Sequence, residues 1–256
     1  MLKIDSNNGH YLNLCPEIDK TDVVYISGSL IEGYGNSSSD VDIFVISDVE
    51  PIGENIIKKD KFTIDIRFEG KRRVDFEYWR PQYVDEIAQK LKKITPGKDF
   101  VAEKLSPVEE LFIHRIKIGQ VIQNKLDFEK LKNKFDLNLF SRYLLQQSIH
   151  RIDGAIEDLV GLLDDGDLDT AIFRAVSIVG LSVDAWCFYR GRTNPLEKWR
   201  VKKLSELTNP SDSFVSKKYF ELSFPNPERL IDATKKTQYI EDCINISHEI
   251  CHTIQQ

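Results

Sequence analysis

The stretch VVYISGSLIEGYGNSSSDVDIFVI, residues 23–46, carries the most information about fold and chemistry in this chain. Both of its ends are apolar runs rich in β-branched and aromatic residues, as is typical of buried strands. The first run stops at Gly28-Ser29, and the second contains Asp40 and Asp42, one residue apart. Because side chains alternate along a strand, the two carboxylates are predicted to share one face.

Length and composition indicate a globular protein of one or two domains. The chain has 256 residues, 41% apolar and 30% charged, which suffices for two modest domains. The net charge of −6 provides no basic field, so nucleic acid is not an expected partner. No apolar run approaches the roughly 20 residues of a membrane-spanning helix, and the N-terminus lacks a signal-peptide core. We therefore expect a cytoplasmic protein without a membrane partner. The four cysteines form no CxxC pair and are predicted to be reduced and mostly buried.

Short apolar and alternating runs dominate the first hundred residues. They predict strands at 22–27 and 40–47, a hairpin of strands 61–69 and 73–79, and an amphipathic helix at 81–94. The segment SLIEGYG after the first strand is long enough for one or two helical turns.

The pattern changes to helical spacing from about residue 105. Ser106 is a predicted N-cap, with Pro107 at the first helical position and Glu109 completing a capping box. Further helical segments follow to the C-terminus, punctuated by glycine and proline. The predicted fold class is α+β, with a small mixed-sheet domain at 1–104 and an all-helical bundle domain at 105–256.

The residues of the opening stretch suit a phosphate and a metal ion. A strand that ends at Gly28-Ser29 and passes into a helical turn offers free backbone N–H groups, a helix dipole and a hydroxyl. Asp40 and Asp42 repel each other unless a cation neutralises them, and paired carboxylates beside phosphates are the usual ligands of Mg²⁺. Asp-x-Asp alone would more often be the solvated face of a strand, but its combination with Gly-Ser upstream favours a metal site.

A third carboxylate is available on the predicted hairpin. Asp75 and Glu77 alternate with apolar residues in RVDFEYW, so they too share a face. A metal pair, a triphosphate and a third carboxylate together make a site for phosphoryl or nucleotidyl transfer.

The order apolar-Gly-Ser, about ten residues, Asp-x-Asp and a later strand carboxylate resembles the signature of the DNA polymerase β-type nucleotidyltransferase superfamily. The resemblance covers roughly residues 20–80, and the α/β domain followed by helices is similar to the aminoglycoside (kanamycin-type) nucleotidyltransferases. It implies a triphosphate held by Gly28 and Ser29, and one or two Mg²⁺ held by Asp40 and Asp42. It implies a further role, as metal ligand or as base, for Asp75, with Glu77 as the alternative.

The implied reaction transfers a nucleoside monophosphate, AMP from ATP being the expected case, to a hydroxyl of a small-molecule acceptor. An antibiotic-like or biosynthetic acceptor fits, and a protein or tRNA end is a related alternative that the negative charge disfavours. A homodimer is compatible with the sequence. The alternative from another class is a nucleotide-binding regulatory or antitoxin-like protein that acts through a protein partner.

Two further motifs need weighing. In LEKWRVKKL, Lys198 and Lys202 stand four residues apart on one helix face, either as phosphate contacts or as a solvated basic surface. HEICH at 248–252 matches the H-E-x-x-H zinc motif, but four residues after His252 leave no room for a third ligand. An ordinary terminal amphipathic helix is the prediction there.

Overall fold

The protein forms two compact units, Met1–Leu137 and Asn138–Gln256, in a computed structural model that describes residues 8–95 and 104–255. The predicted domain boundary between 104 and 105 falls inside the first unit. The reason is a strand after that point, Gln120–Gln123, which pairs with the first strand of the sheet. Its sequence, QVIQ, is too short to show a strand pattern, and the residues on both sides of it have helical spacing. The sequence therefore predicts helices throughout this region.

The first unit is built on a six-stranded mixed sheet flanked by helices. Its strands are β1 (Val23–Ser27), β2 (Val41–Ile46), β3 (Ile56–Lys58), β4 (Phe62–Glu69), β5 (Arg72–Trp79) and β6 (Gln120–Gln123). Its helices are α1 (Pro81–Lys93), α2 (Pro107–Ile118) and α3 (Lys125–Lys132), preceded by a 3₁₀ helix at Asn8–Leu14. The strand order is β3-β4-β5-β2-β1-β6, and β2 and β5 are parallel while the other pairs are antiparallel.

Each face of this sheet is covered by different elements. On one face, an apolar layer from β1, β2 and β5 packs against Tyr11 and Cys15 of the N-terminal segment. On the other, aromatic rings stack in sequence: Phe62 on Trp79, and Trp79 on Phe112 of α2. Buried apolar surface of this kind contributes about 25 cal/mol per Å², so both layers stabilise the sheet.

Helix α2 begins as its sequence predicts. The Ser106 side chain accepts a hydrogen bond from Glu109 N–H, and the Glu109 carboxylate accepts one from Ser106 N–H. This capping box fixes the start of the helix that covers the aromatic face.

The second unit is helical. It contains α4 (Leu137–Asp164) from its second residue on, α5 (Leu168–Tyr189), α6 (Arg200–Ser205), α7 (Pro210–Ser223) and α8 (Ala233–Gln255), with 3₁₀ turns at Glu197–Trp199 and Pro227–Arg229. These helices share one aliphatic core centred on α5. The predicted α+β class, a mixed sheet followed by a helical region, is confirmed.

Helix α5 departs from one expectation. Its 22 residues are long and apolar enough to cross a membrane by length and composition. The expectation that no apolar run approaches this length is therefore wrong. Burial inside the unit covers 72% of its apolar window, as in the core helix of a globular protein. The cysteines agree with prediction: all four are free, and Cys251 is the half-buried one while the others are buried.

Candidate active site

The parallel pairing of β2 and β5 brings the predicted carboxylates together. Asp42 lies directly opposite Asp75, and Phe44 lies opposite Glu77. Side chains two residues apart share a face, so Asp42, Asp75 and Glu77 all lie on the face that carries the aromatic layer. Asp40 precedes the first residue of β2 and is half-buried.

Arginine side chains hold these aspartates. Arg73 binds Asp75 through two hydrogen bonds, from Nε to Oδ1 at 2.6 Å and from an Nη to Oδ2 at 2.7 Å. The same Nε lies 3.8 Å from Asp40 Oδ2. Arg115 of α2 donates to Asp42 Oδ2 at 3.2 Å. The like charges that the sequence places side by side are thus neutralised by two guanidinium groups.

Gly28 brings the backbone close to this carboxylate pair. Its φ of +91° lies in the region that favours glycine, and a Cβ built there would overlap Asp42 Oδ2 and the Arg115 guanidinium. Only a residue without a side chain therefore fits between the end of β1 and Asp42.

The segment after Gly28 is a turn and not the predicted helix. Glu32 N–H donates to Gly28 carbonyl, and the N–H groups of Tyr34 and Gly35 both donate to Ser29 carbonyl. Three glycines within eight residues explain why a helix does not continue. This turn therefore provides no helix dipole for a phosphate, whereas the backbone at Gly28 still lies close to the carboxylates.

This turn is anchored to the covering helix. Glu32 Oε1 lies 3.3 Å from His114 Nε2, and His114 is almost fully buried in α2. Farther along, Asn36 closes an Asx turn with Ser38 N–H and leads the chain into Asp40. The Asx turn formed by the Asn36 side chain thus sets the position of Asp40.

Glu77 is half-buried beside the indole of Trp79. Its Oε2 accepts a hydrogen bond of 3.3 Å from Trp79 Nε1. Burial, and next the negative charge of Asp42, raise the pKa of Glu77 to about 7, against the opposing effects of Trp79 and Arg115. A carboxyl with such a pKa exchanges protons near neutral pH, which suits a general base.

Arg115 is held rigidly in place. Its backbone carbonyl accepts a hydrogen bond from Ser27 Oγ at 2.9 Å, which ties α2 to the end of β1. Its guanidinium lies 5.9 Å from the centroid of the Phe44 ring. The neighbour of Asp42 is therefore a mostly buried cation, at 14% side-chain exposure, whereas Arg73 extends from an outer position at 39%.

The donor set at this edge suits a hard divalent cation. Asp40, Asp42 and Asp75 offer carboxylate oxygens only, the ligands that Mg²⁺ prefers, and the backbone at Gly28 lies so close to Asp42 that a Cβ there would overlap its Oδ2. In the structure these oxygens are engaged by guanidinium groups. The predicted roles of these residues, and of Ser29, stay predictions.

Another cluster lies on the opposite face of the sheet. Among the described residues, the ligand atoms of Cys15, Glu17 and Asp65 all come within 4.8 Å of one another. Arg67 already binds Asp65 at 2.8 Å and Glu17 at 2.9 Å. Burial, followed by the charge of Glu17, raises the pKa of Cys15 to about 12, so the thiol stays protonated. This cluster is a buried ion pair with a neutral thiol beside it.

The basic segment at 197–205 divides into two kinds of residue. Lys198 and Lys202 are exposed and lie in the second unit, and their predicted contact with a triphosphate stays a prediction. Lys203 is fully buried and donates to Asp184 Oδ1 at 2.9 Å, while Arg200 binds the other oxygen at 2.6 Å. The pairing of Lys203 and Arg200 with Asp184 was not predicted, because Asp184 lies on another helix.

The H-E-x-x-H motif lies on α8 as predicted. His248, Glu249 and His252 are exposed, and the rings of the two histidines lie 6.3 Å apart. Buried neighbours such as Ile246 and Ile250 face the core of the second unit, as an ordinary amphipathic helix requires.

Comparisons with known proteins give remote similarities. No family model matches the sequence. The inclusion body clearance protein IML2 of Saccharomyces cerevisiae is 25% identical over 146 residues, in each of two strains. The match covers 57% of this chain and 16% of IML2, so the chain spans about a sixth of that relative.

A solved structure that matches this chain is that of a nucleotidyltransferase-like protein from Exiguobacterium sibiricum. The two chains superpose with a TM-score of 0.47 and 14% sequence identity, over 91% of this chain and 68% of the other.

Proposed function

We propose that this protein is a nucleotidyltransferase that moves a nucleoside monophosphate from a nucleoside triphosphate, ATP being the expected one, to a hydroxyl of a small-molecule acceptor. The observation that carries the proposal is the register that sets Asp42 opposite Asp75 beside the close backbone approach at Gly28. Asp40, Asp42 and Asp75 would hold Mg²⁺, which when bound supplies Lewis-acid stabilisation of the phosphates.

The residues of the chain have separate tasks in this reaction. The backbone at Gly28 and Ser29 would bind the phosphates next to the carboxylates. The acceptor oxygen attacks the α-phosphorus, the bond from that phosphorus to the bridging oxygen breaks, and pyrophosphate leaves. The hydroxyl proton passes to a carboxylate, with Glu77 and Asp75 as the two candidates. The pKa of about 7 favours Glu77, and a position nearer the strand end favours Asp75.

The direct test follows the α-phosphate. Wild type, Asp42→Asn and Asp48→Asn are incubated with Mg²⁺, each α-³²P-labelled nucleoside triphosphate and a panel of hydroxyl acceptors. Asp48 is an exposed carboxylate just beyond the other end of β2, so it is the matched control. We expect label transfer by wild type and Asp48→Asn, and a loss of about a thousandfold in Asp42→Asn.

The same experiment distinguishes a nucleotidyltransferase from the second candidate function, a nucleotide-binding regulatory protein. Equal label transfer by wild type and Asp42→Asn would contradict the proposal. If wild type binds α,β-methylene-ATP with Mg²⁺ in calorimetry but transfers no label, a nucleotide-binding regulatory protein is favoured instead. The intact set of three aspartates is what favours catalysis between the two.

A further inference from the structure

Arg73 and Arg115 contact the carboxylates of the site, and the proposed reaction gives neither of them a role. Both Arg73 nitrogens that face Asp75 are engaged, at 2.6 and 2.7 Å, in a bidentate pair with a carboxylate that is 13% exposed. The same guanidinium lies 3.8 Å from Asp40 across the strand boundary. It therefore bridges two of the three aspartates that would hold a metal ion.

The contact has a simple structural origin. Arg73 and Asp75 are two residues apart on β5, so both side chains leave the same face of the strand. Parallel pairing of β2 and β5 sets Asp75 beside Asp42, and Asp40 lies two residues before Asp42. A guanidinium on this edge is within reach of both carboxylates without any rearrangement of the backbone.

We propose that Arg73 is a resident cation that competes with the metal ion for Asp75 and Asp40 and is released when the phosphates of a nucleotide bind its guanidinium. The inference rests on the proposed function, because it takes the aspartates as the metal ligands. The guanidinium takes one lone pair from each oxygen of Asp75, and its positive charge repels a divalent cation that would bind the remaining ones. Free metal therefore binds weakly, and the site fills when the guanidinium has another anion to pair with.

A polyphosphate is a suitable exchange partner. Arginine pairs with phosphate through the same two-pronged geometry that it uses with a carboxylate. At 39% exposure the Arg73 side chain has access to solvent, whereas Arg115 is 14% exposed and fixed by α2. Arg73 is thus the cation of the pair that can exchange partners.

Metal binding without nucleotide tests the competition directly. The dissociation constant of free Mn²⁺ is measured at pH 7.5 by the loss of its solution electron paramagnetic resonance signal. We expect Arg73→Gln to bind Mn²⁺ at least about tenfold tighter than wild type, within the usual range of coupled equilibria. Arg73→Lys, which keeps the charge but not the fork, is expected to fall between them.

Arg72→Gln is the matched control. It removes the same charge from the adjacent, equally half-buried position of β5, on the opposite face of the sheet. Its Mn²⁺ affinity should equal that of wild type. Equal or weaker Mn²⁺ binding by both Arg73 variants, with unchanged melting temperatures, would overturn the competition.

The release step has its own measurement. Tripolyphosphate, titrated in the presence of EDTA, should bind wild type at least about fivefold tighter than Arg73→Gln. Equal affinities would overturn the exchange with phosphate. These results are distinct from a failure of the proposed function, because neither titration depends on nucleotidyl transfer. Label transfer that requires Asp42, together with unchanged Mn²⁺ affinity in Arg73→Gln, would reject only the role of Arg73.

Discussion

At the residue scale, the consequence of parallel pairing is that neighbouring carboxylates have different environments. Asp75 is buried and neutralised by a bidentate arginine, whereas Glu77, two residues later, is half-buried, accepts a hydrogen bond from Trp79 and lies near the charge of Asp42. Two carboxylates on one strand thus have different partners, a guanidinium for Asp75 and an indole N–H for Glu77.

Glu77 should make stability depend on pH between about 5 and 7. Burial and the Asp42 charge raise the pKa of Glu77 from 4.5 to about 7, so the folded state binds this proton more tightly than the unfolded chain. Stability is therefore lost as pH rises through this range, by up to about 3 kcal/mol. Glu77→Gln does not titrate and should be more stable relative to wild type at pH 8 than at pH 5.

Urea unfolding in metal-free buffer at pH 5 and pH 8 measures this difference. Glu86→Gln, an exposed change on α1, is the control and should follow wild type at both pH values. A constant difference between wild type and Glu77→Gln across the range would contradict the effect.

At the element scale, α2 positions the site, and one carboxylate holds α2. Glu109 is fully buried and binds Lys61 Nζ at 2.6 Å and Lys90 Nζ at 2.9 Å, besides capping its own helix at Ser106. It therefore connects α2 to α1 and to the start of β4. The helix in turn presents Arg115 to Asp42.

Glu109→Gln should lower the free energy of unfolding by about 3 kcal/mol, because it leaves two lysines beside a neutral group. Burial alone would raise the pKa of Glu109, but hydrogen bonds from Lys61, Ser106 and Lys90 outweigh it and lower that pKa to about 2. Its contribution is present above pH 4.5 and is lost as pH falls towards 2. Urea titrations at pH 7 check the variant, and Glu129→Gln on the exposed face of α3 should change stability little.

Elements with strong patterns were predictable from sequence, and weak ones were not. The strands around Gly28 and Asp42 and the capped helix at Ser106 follow from alternation and capping chemistry. The three- and four-residue strands β3 and β6 are too short for any period to show. Strand β6 also pairs with a partner distant in sequence, Val24 with Gln123, whereas β3 pairs with the adjacent β4.

The candidate site was predictable as a set of residues, but not as a set of contacts. Spacing places Asp40, Asp42, Asp75 and Glu77 on shared faces. Their arginine partners cannot be inferred in this way, because Arg115 reaches Asp42 from a helix 73 residues away in the chain. For the same reason, the sequence does not reveal that Lys203 pairs with Asp184, which lies on a different helix.

At the scale of the whole molecule, each unit has its own core and its own buried charges. In the second unit, Asp184 lies between Lys203 and Arg200, and Lys203 also donates to Asn194 carbonyl at 2.9 Å. Buried pairs of this kind cost stability when one partner is removed, because the other charge remains without a counter-ion.

Lys203→Gln should therefore destabilise the protein by about 3–5 kcal/mol. The adjacent exposed substitution Lys202→Gln should change the free energy of unfolding by less than about 0.5 kcal/mol. Equilibrium unfolding in urea, followed by circular dichroism, compares the two variants. Similar losses of stability in the two variants would show that Lys203 is not needed to compensate the charge of Asp184.

The parallel pairing of β2 and β5 also governs the order in which the site can be assembled. Parallel neighbours cannot be joined by a tight turn, so the chain must leave β2, form the β3–β4 hairpin and return before Asp75 meets Asp42. Contacts between residues so distant in sequence form slowly, since loop closure precedes any gain from pairing. During synthesis, the ribosome must therefore release β5 before the aspartates can come together, and a chain truncated before residue 72 would carry half of the carboxylate set.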